Sequence, residues 1–85
     1  MAHSIQFTPA ARRQFFKLEA SIQRRIGQAI DALAENPRPP GSKKIKVPED
    51  LWRIRVGDYR IVYQIHDREL VVVIVAIGHR SDIYR

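Results

Sequence analysis

Apolar and polar residues alternate with period two through Leu51-Trp-Arg-Ile-Arg-Val-Gly-Asp-Tyr-Arg-Ile-Val-Tyr-Gln-Ile65. That pattern predicts a strand, a turn and a second strand. Gly57-Asp58 is a two-residue hairpin turn, in which Gly supplies the positive φ that a type II′ turn needs at its first central position. Counting back from the turn pairs Val56 with Tyr59, Arg55 with Arg60, Ile54 with Ile61, Arg53 with Val62 and Trp52 with Tyr63. One face then carries Trp52, Ile54, Val56, Tyr59, Ile61 and Tyr63, a core face that leaves no base-stacking role for its aromatics. The other carries Arg53, Arg55 and Arg60.

The remaining pattern supplies the rest of a fold. Ile5 and Phe7 alternate with Gln6, which predicts a short first strand. Thr8-Pro9 opens a helix, with Thr8 as N-cap and Pro9 at the first helical position. Ala11, Phe15 and Leu18 follow at helical spacing. A second helix starts near Ser21 and carries Ile22, Ile26, Ala29, Ile30 and Leu33 on one stripe. It ends before Pro37, because the residue preceding a proline disfavours the α region. The two helices make a hairpin around Glu19-Ala20-Ser21.

Asn36-Pro37-Arg38-Pro39-Pro40-Gly41-Ser42 reads as a stiff linker inside one domain. Lys43-Lys44-Ile45-Lys46 is either a loop or the lead-in to the strands. His66-Asp67-Arg68-Glu69 makes a turn before Leu70–Ile77. That last run is apolar at nearly every position and is expected to lie centrally, covered on both faces. Gly78-His79-Arg80-Ser81 then leaves the sheet. The order β-α-α-β-β-β describes an α+β domain, residues 1–85, with a helical hairpin on one face of a small, mostly antiparallel sheet. The second face stays partly open and carries the arginines.

Charge sharpens the picture. Lys and Arg number 15 against 9 Asp and Glu, a net charge of 15 − 9 = +6, and the sequence pI is about 10.3. Such a balance favours polyanions, or an acidic protein, without specifying a sequence to be read. Cysteine is absent, so neither disulfides nor a thiolate site contribute, and a reducing cytosol is compatible. The N-terminus lacks an apolar signal core, and Leu70–Ile77 is far too short to span a bilayer. The expectation is a soluble cytoplasmic protein with no membrane partner.

Arg55 directly opposite Arg60 costs a few tenths to ~1 kcal/mol, because like charges repel across a sheet. An anion held between them offsets that cost, and phosphate is the natural one. Lys44 and Lys46 are candidate contacts to a nucleic-acid backbone. Arg12, Arg13, Lys17, Arg24 and Arg25 read as solvated helix faces, and His3 and His66 carry no assigned role. No Gly-rich phosphate loop, metal-ligand cluster or nucleophile–base pair is present, so no cofactor or metal is implied.

Phe7-Thr8-Pro9-Ala10-Ala11, Leu51–Val56, Gly57-Asp58-Tyr59-Arg60-Ile-Val-Tyr63 and Ile77-Gly78-His79-Arg80-Ser81-Asp82-Ile83-Tyr84 together resemble the RelE branch of the RelE/ParE toxin superfamily. The resemblance covers essentially the whole chain. It implies a RelE-like microbial ribonuclease fold and the toxin half of a toxin–antitoxin pair. The implied activity is ribosome-dependent, metal-independent cleavage of mRNA in the decoding site, by attack of a 2′-hydroxyl on the adjacent phosphate. The implied partners are a cognate antitoxin, the ribosome and mRNA, with operator DNA reached only through the antitoxin.

By the same resemblance Arg53, Arg55, Arg60 and Arg80 serve the reacting phosphate, and Tyr84 stacks on a base or steers the nucleophile. Arg53 and Arg55 stand where the best-known RelE pattern has lysines, and arginine does not act as a base. His79 is the nearest residue with a suitable ordinary pKa, and some related toxins use a histidine in this region. Two rivals share the fold. One is a non-enzymatic ParE-like toxin that grips DNA gyrase. The other is an inactive relative that only helps a partner bind operator DNA.

Overall fold

Thr8 marks the switch from strand to helix. Its Oγ1 accepts a hydrogen bond from the Ala11 amide at 3.1 Å and Pro9 fills the first helical position, so the N-terminal turn is satisfied as the pattern predicts. The computed structural model describes residues 2–46 and 50–79. Within them the order is β1 (Ser4–Phe7), α1 (Pro9–Phe16), α2 (Ala20–Glu35), β2 (Lys43–Lys46), β3 (Leu51–Val56), β4 (Tyr59–His66) and β5 (Val71–His79).

The strands form one sheet in the order β1-β5-β4-β3-β2. β1 runs parallel to β5, and the other neighbours are antiparallel. Both helices pack on one face. Ala11, Ile26, Ile30 and Leu33 meet Ile54, Ile61, Tyr63, Val72, Ile74 and Ile77 in the core.

β5 carries an irregularity that α1 repairs. Val62 pairs with Ala76 but Tyr63 pairs with Ile74, leaving Val75 as an extra residue, a bulge. β1 covers the outer edge of β5 only as far as Ile74. Beyond that point the Thr8 hydroxyl donates to the Val75 carbonyl at 3.0 Å, and Gln14 Oε1 accepts from the Ile77 amide at 2.8 Å. Backbone groups that a strand would have paired are thus met by two side chains of the helical layer.

Tyr63 ties the linker to the sheet. It is 0% exposed, and its hydroxyl donates to the Pro37 carbonyl at 2.7 Å. Burial pushes its phenol up to about 12. The Arg38 guanidinium lies 5.2 Å over the Trp52 ring and reaches Asp67 at 2.9 Å. That hydrogen bond holds the Asp67 carboxyl below its ordinary range.

Three expectations need correction. Lys43–Lys46 is a fifth strand, at the edge of the sheet beside β3. Gly78 and His79 belong to β5 rather than to a segment leaving the sheet. β5 has a strand on each side but is not covered on both faces, since Val71, Val73 and Val75 stay half-buried. The single helical layer covers one side only, and valine suits a half-buried pleated surface.

Candidate functional site

The hairpin turn fixes the site. Gly57 has φ +59° while Asp58 does not enter the positive-φ region, which fits a type II′ turn and sets the register residue by residue. The observed pairs are Val56–Tyr59, Arg55–Arg60, Ile54–Ile61, Arg53–Val62 and Trp52–Tyr63, as the sequence predicts. The turn rests on α2: a Cβ built on Gly57 would lie 3.1 Å from Arg25 Nη2.

On the face away from the helices, Arg55 stands directly across from Arg60. On the far side of Arg60 its β5 neighbour is Gly78, which puts no side chain over it. Arg53 shares the face because it lies two residues from Arg55. Its other neighbour is Lys43 of β2, a fourth cation. Arg53 is only 6% exposed, which fixes its stem and limits the conformations of its head. Among the described residues, no carboxylate lies within ion-pair distance of Arg53 or Arg55. The five strands hold six Lys and Arg residues and no Asp or Glu. A cavity of about 300 Å³ opens beside them, lined by Pro40, Gly41, Lys43, Arg53, Ile54 and Arg55.

The other candidates lie elsewhere. Lys44 pairs with Trp52 in the β2–β3 register, so it belongs to the opposite face, and its Nζ meets Asp50 at 2.7 Å. Lys46 pairs with Leu51 through the backbone, and its side chain lies outside the description. His79 pairs with Tyr59. Its ring meets the Tyr59 ring edge-on at 5.6 Å and 85°, on the face opposite Arg55 and Arg60. Arg80 and Tyr84 lie outside the described residues. Lys43 was missed, although alternation along Lys43-Lys44 identifies it once the strand is known to pair with β3.

Chemically, Arg53, Arg55 and Arg60 are permanent cations that donate in a planar fork suited to phosphate oxygens. They stabilise negative charge, and they neither take nor give a proton. The arrangement fits the binding and activation of a phosphodiester.

The two-helix layer and the cationic second face agree with the fold that the resemblance implies. Residues 5–84 match the family model described as the ParE toxin of type II toxin–antitoxin systems, and the chain belongs to the RelE/ParE toxin superfamily. It is similar to toxin RelG of Mycobacterium tuberculosis, with 34% identity over 86 residues covering 100% of this chain and 99% of the relative. It is also similar to the mRNA interferase toxin RelE of Escherichia coli K12, with 28% identity over 88 residues covering 99% of this chain and 92% of the relative. In structure it resembles the toxin–antitoxin complex RelBE2 from Mycobacterium tuberculosis, with a TM-score of 0.82 and 28% identity, over 96% of this chain and 95% of that one. The chain is therefore a RelE-like toxin of a toxin–antitoxin system.

Proposed function

We propose that this toxin is an mRNA endoribonuclease that works in the ribosomal decoding site and is neutralised by a cognate antitoxin. The observation that carries the reading is the Arg55–Arg60 pair, opposed on a sheet face whose strands hold no carboxylate. Two like charges held together on a rigid surface are poised for an anion. The relative named an mRNA interferase supports RNA as the source of that anion.

In the proposed reaction a 2′-hydroxyl loses its proton and its oxygen attacks the adjacent phosphorus. The 5′-oxygen leaves with a proton, giving a cyclic phosphate and a 5′-hydroxyl. Arg55 and Arg60 stabilise the charge that grows on the non-bridging oxygens, and Arg53 holds the RNA one step along the strand beside them. Arg80 joins them, and Tyr84 orients the reacting nucleotide. None of the arginines serves as the base, and His79 sits across the sheet from the Arg55–Arg60 pair. Positioning of the mRNA on the ribosome then supplies much of the rate. The toxin would act where ribosomes are, in the cytoplasm, and would meet operator DNA only through its antitoxin.

The test compares one mRNA fragment, naked and on programmed ribosomes, with purified toxin. Cleavage is expected to be at least about tenfold faster on the ribosome, where the reacting groups are pre-positioned. Equal cleavage of both would refute the dependence on the ribosome. The match to the ParE family model keeps a second reading in view, inhibition of DNA gyrase. Intact mRNA with early DNA-damage signalling on expression would favour it.

The antitoxin is expected to be acidic where it touches the arginine face and to fold partly on binding. Apolar area lies close to positive charge elsewhere on the surface too. Phe16 is 65% exposed, and with Ile5, Phe7, Phe15 and Arg12 it lines a cleft of about 530 Å³. A partner that binds only the native state raises its stability. Melting temperature should therefore rise with the co-encoded partner, and binding should weaken as salt increases. An unchanged melt at saturating partner would contradict this.

A further inference from the structure

We propose that Lys43 and Arg53 form a second phosphate-binding rung, one step along the nucleic-acid backbone from Arg55–Arg60. The toxin would then grip two successive phosphodiesters. The inference rests on the RNA-cleaving reading above and extends its site to a residue that reading does not need.

Register carries the argument. Lys43 stands opposite Arg53 across β2 and β3, and Arg55 stands opposite Arg60 across β3 and β4. Each rung is a directly opposed pair of like charges, an arrangement unfavourable to the sheet by itself. Arg53 and Arg55 are two residues apart, so the rungs face the same way and are separated by roughly 6.8 Å of strand rise. The step between neighbouring phosphates of an extended single strand is of that order. One accidental like-charge pair is unremarkable, but two at this interval are a ladder.

The second rung is also a shaped place. The 300 Å³ cavity is bounded by Lys43, Arg53 and Arg55 on the sheet side and by Pro40 and Gly41 of the linker. Gly41 has φ +91°, and Ser42 donates its amide to the Pro39 carbonyl at 3.0 Å, which fixes the bend that forms the wall. Arg53, 6% exposed, is held in the packed surface. Lys43 is exposed and free of any carboxylate among the described residues. Its neighbour Lys44 is tied to Asp50 on the other face. The two adjacent lysines therefore have different surroundings, and only Lys43 belongs to the ladder.

The experiment measures single-turnover cleavage of an mRNA fragment on programmed ribosomes against toxin concentration. Wild type, Lys43→Ala and Lys43→Arg are compared. Each acts on plain RNA and on RNAs with one uncharged methylphosphonate immediately before or after the cut. Lys43→Ala is expected to raise the half-saturating concentration about tenfold, the loss of one charge-assisted contact, with the saturating rate within about twofold of wild type. Lys43→Arg should restore affinity. On the RNA neutralised at the neighbouring phosphate, wild type should lose the same factor and Lys43→Ala should lose no more.

Wild-type affinity in Lys43→Ala, or losses that add when variant and modified RNA are combined, would overturn the rung and leave the proposed function standing. So would a variant impaired only in binding an acidic protein partner, since an extended acidic peptide presents carboxylates at a similar interval. A wild-type toxin that cuts none of these RNAs would overturn the proposed function, and the rung with it.

Discussion

Arg60→Ala is expected to slow mRNA cleavage by about 10²–10³, the effect of removing one preorganised donor to a developing oxyanion, or about 2.7–4 kcal/mol. Arg60 is the inner member of the opposed pair, on the central strand β4 with β3 on one side and β5 on the other. Its backbone does not depend on its side chain, so the fold should survive. Removing one of two opposed cations also relieves a like-charge repulsion of a few tenths to ~1 kcal/mol. A merely structural arginine would show the opposite pairing, lower stability with normal cleavage. Arg80→Ala is expected to abolish cleavage to a similar degree, on the strength of the family resemblance. The measurements are single-turnover cleavage on programmed ribosomes and equilibrium unfolding of each variant. A folded Arg60→Ala, Arg80→Ala double variant that cleaves at the wild-type rate would sink the assignment of this face as the active site.

The arginine rung was legible in the sequence because a two-residue turn leaves no freedom in register. Once Gly57-Asp58 is read as that turn, every pair out to Trp52–Tyr63 follows, and with it the face of each arginine. Thr8 was legible as a cap for the same local reason, but its second bond, to the Val75 carbonyl, was not. That bond depends on a bulge, and a bulge is a mismatch between two strands rather than a property of either. The bulge also places Ile74 and Ile77 in the same core, which simple alternation along β5 does not allow. Lys43 escaped notice because a four-residue basic segment shows its strand character only when β3 is beside it. The same pairing moved Lys44 off the arginine face. The continuous apolar run of β5 suggested two covered faces, whereas its valines need only a half-buried surface. Local chemistry thus fixed the hairpin, and long-range pairing decided which lysine joins it.

Tyr63→Ala is expected to destabilise the fold by about 3–5 kcal/mol, as for other large aromatic truncations in cores, a large share of the roughly 5–15 kcal/mol typical of a domain. Tyr63 is fully buried at the centre of the sheet, and its hydroxyl holds the linker through Pro37. The change therefore opens a void and also releases the segment that walls the cationic cavity. Tyr63→Phe isolates the second effect. It leaves a buried carbonyl without that donor, at a cost of about 1–3 kcal/mol. Alkaline pH separates the two contributions further. Burial raises the folded-state phenol from 10.0 to about 12, so between those values the unfolded chain has released a proton that the folded chain still holds. Stability from this group is complete below pH 10 and falls as pH rises toward 12, by on the order of 2 kcal/mol. Tyr63→Phe cannot ionise and lacks this loss. The gap in unfolding free energy between wild type and Tyr63→Phe should therefore be widest near neutral pH and shrink above pH 10. Denaturant titrations of both proteins from pH 7 to pH 11.5 measure it. A gap that stays constant or widens over that range would show that Tyr63 is not held in its neutral form by the packed linker, and that the contact with Pro37 does not anchor the wall of the site.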